Sequence, residues 1–266
     1  MKSSQVFVIA LACAAALLAA PARAGRSCEA RKPSAESIIK GLALAQKTAQ
    51  SLDASGAAVV VLARAGQDLR KYGLDYSHVG LAYRQPAPGG GYHWRVVHKL
   101  NQCGSAQSSL YRQGLGEFFL DDPWRFDAAW AALQPELQAR LLPVLRDNAR
   151  VAALHEPHYS VVSYAWGRKY QQSNQWAIET LAAAMDDRAL SRDQAQAWLR
   201  QNGYQPTTLQ LGALTRLGAR VTSANVAFDD HPPARRFADR IDTVTADSVF
   251  DWLQRSQLGG AMQRVQ

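Results

Sequence analysis

The chain has 266 residues, 47% of them hydrophobic, and a formal net charge of +8 at pH 7. That length and apolar content exclude a disordered or fibrous polymer and fit one well-cored domain or a little more. The basic residues are scattered, with Arg235-Arg236 the one notable late pair, so the charge does not form a nucleic-acid footprint.

The first element is a leader. Lys2 gives a positive start, residues 6–20 are an unbroken run of apolar and small side chains, and Ala22-Arg23-Ala24 has the small-x-small form of a cleavage site. The run is too short and too alanine-rich for a membrane anchor, and no later stretch approaches the roughly 18 apolar residues a membrane helix needs. Residues 1–24 are therefore expected to be removed, leaving a periplasmic or secreted protein with no transmembrane anchor. Cys13 leaves with the leader. Cys28 and Cys103 remain, and an oxidising compartment favours a bridge between them. The alternatives are two separate thiols, or Cys103 as a nucleophile beside His98.

After the leader, residues 34–52 have helical periodicity. Ser34 is the candidate cap, and Ile38, Ile39, Leu42, Ala45, Ala49 and Leu52 are expected on the buried face. Residues 57–63, Ala-Ala-Val-Val-Val-Leu-Ala, read as a buried strand. Residues 78–83 and 94–100 read as two more, joined by the flexible Pro-Ala-Pro-Gly-Gly-Gly of 86–91 and hence antiparallel. Residues 126–146 are predicted helical, with Pro135 a candidate start of a second helix and Pro143 expected to kink or end it. Residues 159–166 are predicted as a strand and 173–185 as a helix. Ser191-Arg192-Asp193-Gln194 reads as a capping box for another helix, closed by Gly203. The last sixty or so residues alternate short elements at 209–217, 221–228, 241–244 and 248–254. The order of elements is α+β, with a core over 25–190 and an α/β elaboration of the same domain over 191–266.

Three side chains carry the candidate chemistry. His78 begins a strand, with Gly80 leaving room for a close neighbour, and an imidazole can relay a proton near neutral pH. His98 ends the next strand, where an antiparallel neighbour can orient the first ring. Ser173 lies where a helix begins, so backbone N–H groups and the helix dipole could assist a nucleophile and hold an oxyanion. Serine is equally a favoured cap residue there. Tyr76, Gln172 and Asn174, adjoining these, are the candidate substrate contacts. His155-Glu156-Pro157-His158 and Asp229-Asp230-His231 invite a metal reading, but neither has zinc-motif spacing, and no phosphate-binding glycine loop is present. No metal or cofactor is expected.

The phrases Tyr76-Ser77-His78-Val79-Gly80, His98-Lys99-Leu100-Asn101, Leu110-Tyr111-Arg112-Gln113-Gly114-Leu115, Tyr170-Gln171-Gln172-Ser173-Asn174-Gln175-Trp176 and Phe228-Asp229-Asp230-His231-Pro232 carry a resemblance. From residue 28 to about 253 the chain resembles a bacterial family of exported proteins catalogued as a domain of unknown function, DUF2145. More distantly it resembles circularly permuted papain-like hydrolases of the NlpC type. In those a strand carries the base, the next strand a polar orienting residue, and a later helix opens with a catalytic cysteine. His78, His98 and Ser173 fall in that order, with serine in the cysteine's place. The resemblance implies a papain-like antiparallel sheet packed against helices. It also implies one of two functions: a hydrolase or acyltransferase acting on cell-envelope amides or esters, or a non-catalytic module binding an envelope peptide or glycan in the same cleft.

Overall fold

The computed structural model describes residues 33–266 apart from 122, 187 and 189. The leader over 1–24 and Cys28 lie outside the described residues.

The protein is α+β. Helix α1 (Ala35–Ala54) leads into β1 (Val59–Arg64), β2 (His78–Pro86), β3 (Tyr92–Asn101) and β4 (Ser108–Gly114). Helix α2 (Leu115–Phe119), strand β5 (Ala128–Ala132), helices α3 (Pro135–Arg146) and α4 (Asn148–Ala152) come next. They precede α5 (Ser173–Met185) and α6 (Arg192–Gln201). The last part holds β6 (Thr207–Gln210), α7 (Ala213–Thr222), α8 (Pro233–Phe237), β7 (Arg240–Thr243), α9 (Ala246–Arg255) and β8 (Gln263–Val265). One antiparallel sheet runs β4-β3-β2-β1-β5-β8, and β6 and β7 form a separate ribbon.

Side chains alternate across a strand, so β1 feeds two cores. Val59, Val61 and Ala63 join Leu137, Leu141, Trp176 and Ile178 on one face. Val60 and Leu62 join Leu44, Leu52 and Phe118 on the other. Helices therefore cover both faces, and every residue of β1 is buried. The β2–β3 hairpin turns through Gly89, Gly90 and Gly91, all at positive φ, where a side chain would be strained. Its register runs from Pro86 opposite Tyr92 to Leu81 opposite Val97. One further step sets Gly80 against His98. A Cβ on Gly80 would lie 2.5 Å from Val96 Cγ1 and 3.2 Å from His98 Cβ, so glycine is what lets the two strands carry both imidazoles.

The segments over 191–266 share these cores. Val249, Phe250, Trp252 and Leu253 pack with α5, and β8 extends the sheet beside β5.

Four sequence expectations need correction. The helix expected over 126–146 is strand β5 followed by α3, because Ala128–Ala132 pairs with β1 from Val60↔Ala132 to Arg64↔Ala128. Pro143 lies inside α3, which continues to Arg146. The strand expected over 159–166 is a run of turns. Its amides are taken singly by Asn225 O, Asp230 Oδ2 and Asp242 O, so no ladder forms with a neighbouring strand. In α1, capped by Ser34 as expected, the buried stripe is Gly41, Leu44, Ala45, Thr48 and Leu52, whereas Ile38, Ile39 and Leu42 are exposed. Gly41 sets that orientation: its Cβ position is 2.8 Å from Leu120 Cδ2, so this face of the helix comes closest to its neighbour.

Candidate functional site

Each residue of Gln171-Gln172-Ser173-Asn174-Gln175 is buried, although the run is polar. Buried polar groups must find partners, and here most of the partners lie in other parts of the fold. Gln172, not Ser173, is the N-cap of α5: its side chain accepts from Asn174 N at 2.7 Å, and its amide donates to Val244 O. Asn174 Oδ1 accepts from Val79 N at 2.9 Å, which fastens the helix start to β2. Gln175 accepts from Ser163 Oγ at 2.7 Å and donates to the carbonyls of Tyr164 and Ala165. Ser173 is the first helical residue, so its hydroxyl is not used as the cap.

That hydroxyl meets His78. Ser173 Oγ and His78 Nδ1 are 3.1 Å apart, His78 Nε2 and His98 Nδ1 are 2.8 Å apart, and His98 Nε2 and Gln113 Oε1 are 2.8 Å apart. One proton direction satisfies all three contacts. His98 Nε2–H donates to the Gln113 carbonyl, His78 Nε2–H donates to His98 Nδ1, and His78 Nδ1 is left to accept from the serine hydroxyl. Phe118 packs on both rings, with centroids 5.9 and 5.1 Å away.

Burial, then the Arg64 guanidinium, then the neighbouring ring hold His78 well below the usual imidazole range. Burial and Arg64 push His98 down to about 4, opposed by its Gln113 hydrogen bond and by Asp121. Both rings are thus neutral at pH 7. In the unfolded chain they protonate near 6.5. The unfolded state therefore binds more protons than the folded one as pH falls from about 6.5 towards about 4, and folding stability declines across that window. The thermal midpoint is expected to fall on acidification over this range and to depend less steeply on pH in His98→Gln. Parallel slopes for the two proteins would rule out this assignment.

Tyr159 completes the site. Its phenol is buried, which raises its pKa, and the neighbouring side chain and backbone of Ser173 oppose that rise. Ser173, Gln172, Asn174, Tyr76 and Tyr159 are among the residues lining a cavity of about 320 Å³. The predicted contact residues reach this cavity with their polar groups already engaged: Gln172 and Asn174 as above, and Tyr76 through its hydroxyl, which donates to Asp127 Oδ1 at 2.9 Å. Sequence reasoning found His78, His98 and Ser173 but gave no role to Tyr159 or Gln113. Only the phrase around Gln113 carried any signal, through resemblance.

Behind the site lies a second buried polar group. Glu179 accepts from Arg192 Nε at 2.8 Å, Gln171 Nε2 at 2.6 Å and Gln196 Nε2 at 2.7 Å. Gln171 also accepts from Lys99 Nζ at 2.7 Å. Burial first, and Arg192 second, push the Lys99 ammonium down to about 7. In the clusters that invited a metal reading, His158 pairs with Glu156, Asp229 with Lys169, and His231 Nε2 with Val162 O at 2.8 Å, while His155 Nε2, Asp230 Oδ1 and His231 Nδ1 are buried without a hydrogen-bond partner among the described residues. Among the described residues no helix is long and apolar enough to cross a membrane.

A family model described as an uncharacterised protein conserved in bacteria, DUF2145, matches residues 51–253. No curated protein and no solved structure matches the chain.

Proposed function

Because the chain belongs to the bacterial family DUF2145, whose description carries no activity, we propose its function from the site: acyl transfer through Ser173. The observation that carries this is the 3.1 Å approach of the Ser173 hydroxyl, in the wall of a cavity, to His78 Nδ1, with His98 holding the far nitrogen. The hydroxyl oxygen adds to a substrate carbonyl while its proton passes to His78 Nδ1. Collapse breaks the carbonyl's bond to the leaving group, which takes that proton. Water or another acceptor then releases the acyl group by the reverse path. The start of α5 and the Tyr159 hydroxyl are the groups placed to hold the oxyanion. The order and contact of base, orienter and helix-borne nucleophile support a papain-like arrangement with serine replacing cysteine. The test is a fluorophosphonate probe: mass spectrometry should find the adduct on Ser173, and folded protein that stays unlabelled would argue against the reading.

One observation favours the second reading, a non-catalytic module that binds a peptide or glycan in the same cavity. The relay ends on the neutral Gln113, and Arg64 disfavours an imidazolium, whereas a serine triad ends on a carboxylate that stabilises one.

The leader pattern supports export to the periplasm or beyond and, with it, a substrate among envelope amides or esters. An oxidising compartment supports a Cys28–Cys103 bridge. Intact mass of the mature chain should correspond to a start at Gly25 and rise by two hydrogens on reduction. A retained leader or an unchanged mass would overturn the respective half.

A further inference from the structure

The cavity beside Ser173 takes Gln67, Asp68, Lys71 and Thr243 into its lining, but much of the wall is apolar. That apolar part comes from a third cluster, with Leu74, Leu209, Leu211 and Phe228, and from Val162 and Val226 packed against it. Its volume, about 320 Å³, is at the small end of ligand pockets, enough for one slim apolar group. Helix α7 supplies part of the same wall through Thr215 and Ala219. None of its residues is buried, and its other face presents Leu214, Leu217 and Val221 at 85%, 60% and 58% exposure. Those positions share one side of a helix. The helix carries no acid; of its two arginines Arg220 is exposed, whereas Arg216 is largely covered in its pair with Asp239. The end of α8 and the start of β7 add exposed Phe237 and Arg240, and Asp239 between them ties this part to α7 by pairing with Arg216 at 2.6 Å and accepting from Leu211 N at 2.9 Å. Apolar side chains flanked by arginines are the form of a helix that lies on an anionic lipid surface.

We infer that the cavity takes the alkyl chain of an anionic lipid, and that α7, one wall of the cavity, rests on the lipid surface from which the chain comes. The chain would place its ester or amide carbonyl at Ser173. This names the substrate class for the acyl-transfer reading and rests on it for the chemistry, although the binding itself does not.

Calorimetric titration with octanoate, decanoate and dodecanoate separates the two. Affinity should rise about fourfold per added methylene while the cavity fills. Ser173→Ala should bind equally well, and Ala219→Trp, at the cavity wall, should lose tenfold or more with an unchanged thermal midpoint. Affinity independent of chain length, or unaffected in folded Ala219→Trp, would overturn the pocket. The wild type should co-sediment with phosphatidylglycerol vesicles more than with phosphatidylcholine vesicles, and Leu214→Asp/Leu217→Asp should not. Equal sedimentation of the two proteins would overturn the surface. Chain-length dependence without probe labelling would remove the acyl-transfer reading and leave the pocket standing; labelling without chain-length dependence would do the opposite.

Discussion

His78→Ala is expected to slow fluorophosphonate labelling of Ser173 by roughly 10²–10⁴-fold, the usual contribution of a positioned base. A serine hydroxyl is a weak nucleophile until its proton has somewhere to go, and His78 Nδ1 is the acceptor within reach. The ring is neutral because it is buried beside Arg64 and His98, so labelling should keep its full rate below pH 6.5 before it declines. Tyr159→Phe removes the hydroxyl group facing Ser173 and should cost about 10²-fold, as loss of an oxyanion donor does. Ser173→Cys adds a control that does not need the native chemistry. A thiol against the same imidazole should alkylate with iodoacetamide much faster than free cysteine, and His78→Ala should remove that advantage. Labelling of Ser173 that is unaffected by His78→Ala would show that the two side chains touch without acting together.

The largest effect on stability is expected from Glu179→Ala. The carboxylate is fully buried and is the anion set against the Arg192 guanidinium, with Gln171 linking it to the Lys99 ammonium. Removing it leaves buried positive charge uncompensated, which costs about 3–5 kcal/mol. In a domain of this size the thermal midpoint should drop by roughly 10 °C or more. Glu179→Gln keeps the shape and some hydrogen bonding and should lose less. The effect should also reach the site, because Gln171 donates to Leu154 O and to Glu179 and immediately precedes the cap of α5. Probe labelling should therefore fall in folded Glu179→Ala even though Glu179 does not line the cavity. A change of less than 1 kcal/mol in denaturant unfolding would show that the pair is not held as the structure has it.

Several elements were legible because a local pattern sufficed. The short apolar run of β1 reads as a buried strand, and the triple glycine between β2 and β3 left a hairpin as the simple connection. The Ser191 cap and Gly203 marked the ends of α6. Other elements were misread where composition and environment disagree. Ala-Ala-Trp-Ala-Ala favours a helix by propensity, yet it becomes β5 because β1 offers it a free edge and two covered faces. The aromatic and β-branched residues of 159–166 favour a strand, yet their backbone is claimed by Gln175, Asp230, Asn225 and Asp242 from distant parts of the chain.

From its residues alone, the chain determined the α+β class, the β2–β3 hairpin and, through that hairpin's register, a pairing that could bring His78 and His98 onto one face. These depend on periodicity and on turn residues, which act over a few positions. The tertiary structure decided that Ser173 reaches His78, that Gln172 caps α5 in its place, that Gln113 ends the relay, and that Tyr159 and α7 border the cavity. Ser173 lies 95 positions from His78, and nothing local encodes such a contact. It exists because the Asn174–Val79 hydrogen bond and the packing of α5 on the sheet bring a helix start to a strand start.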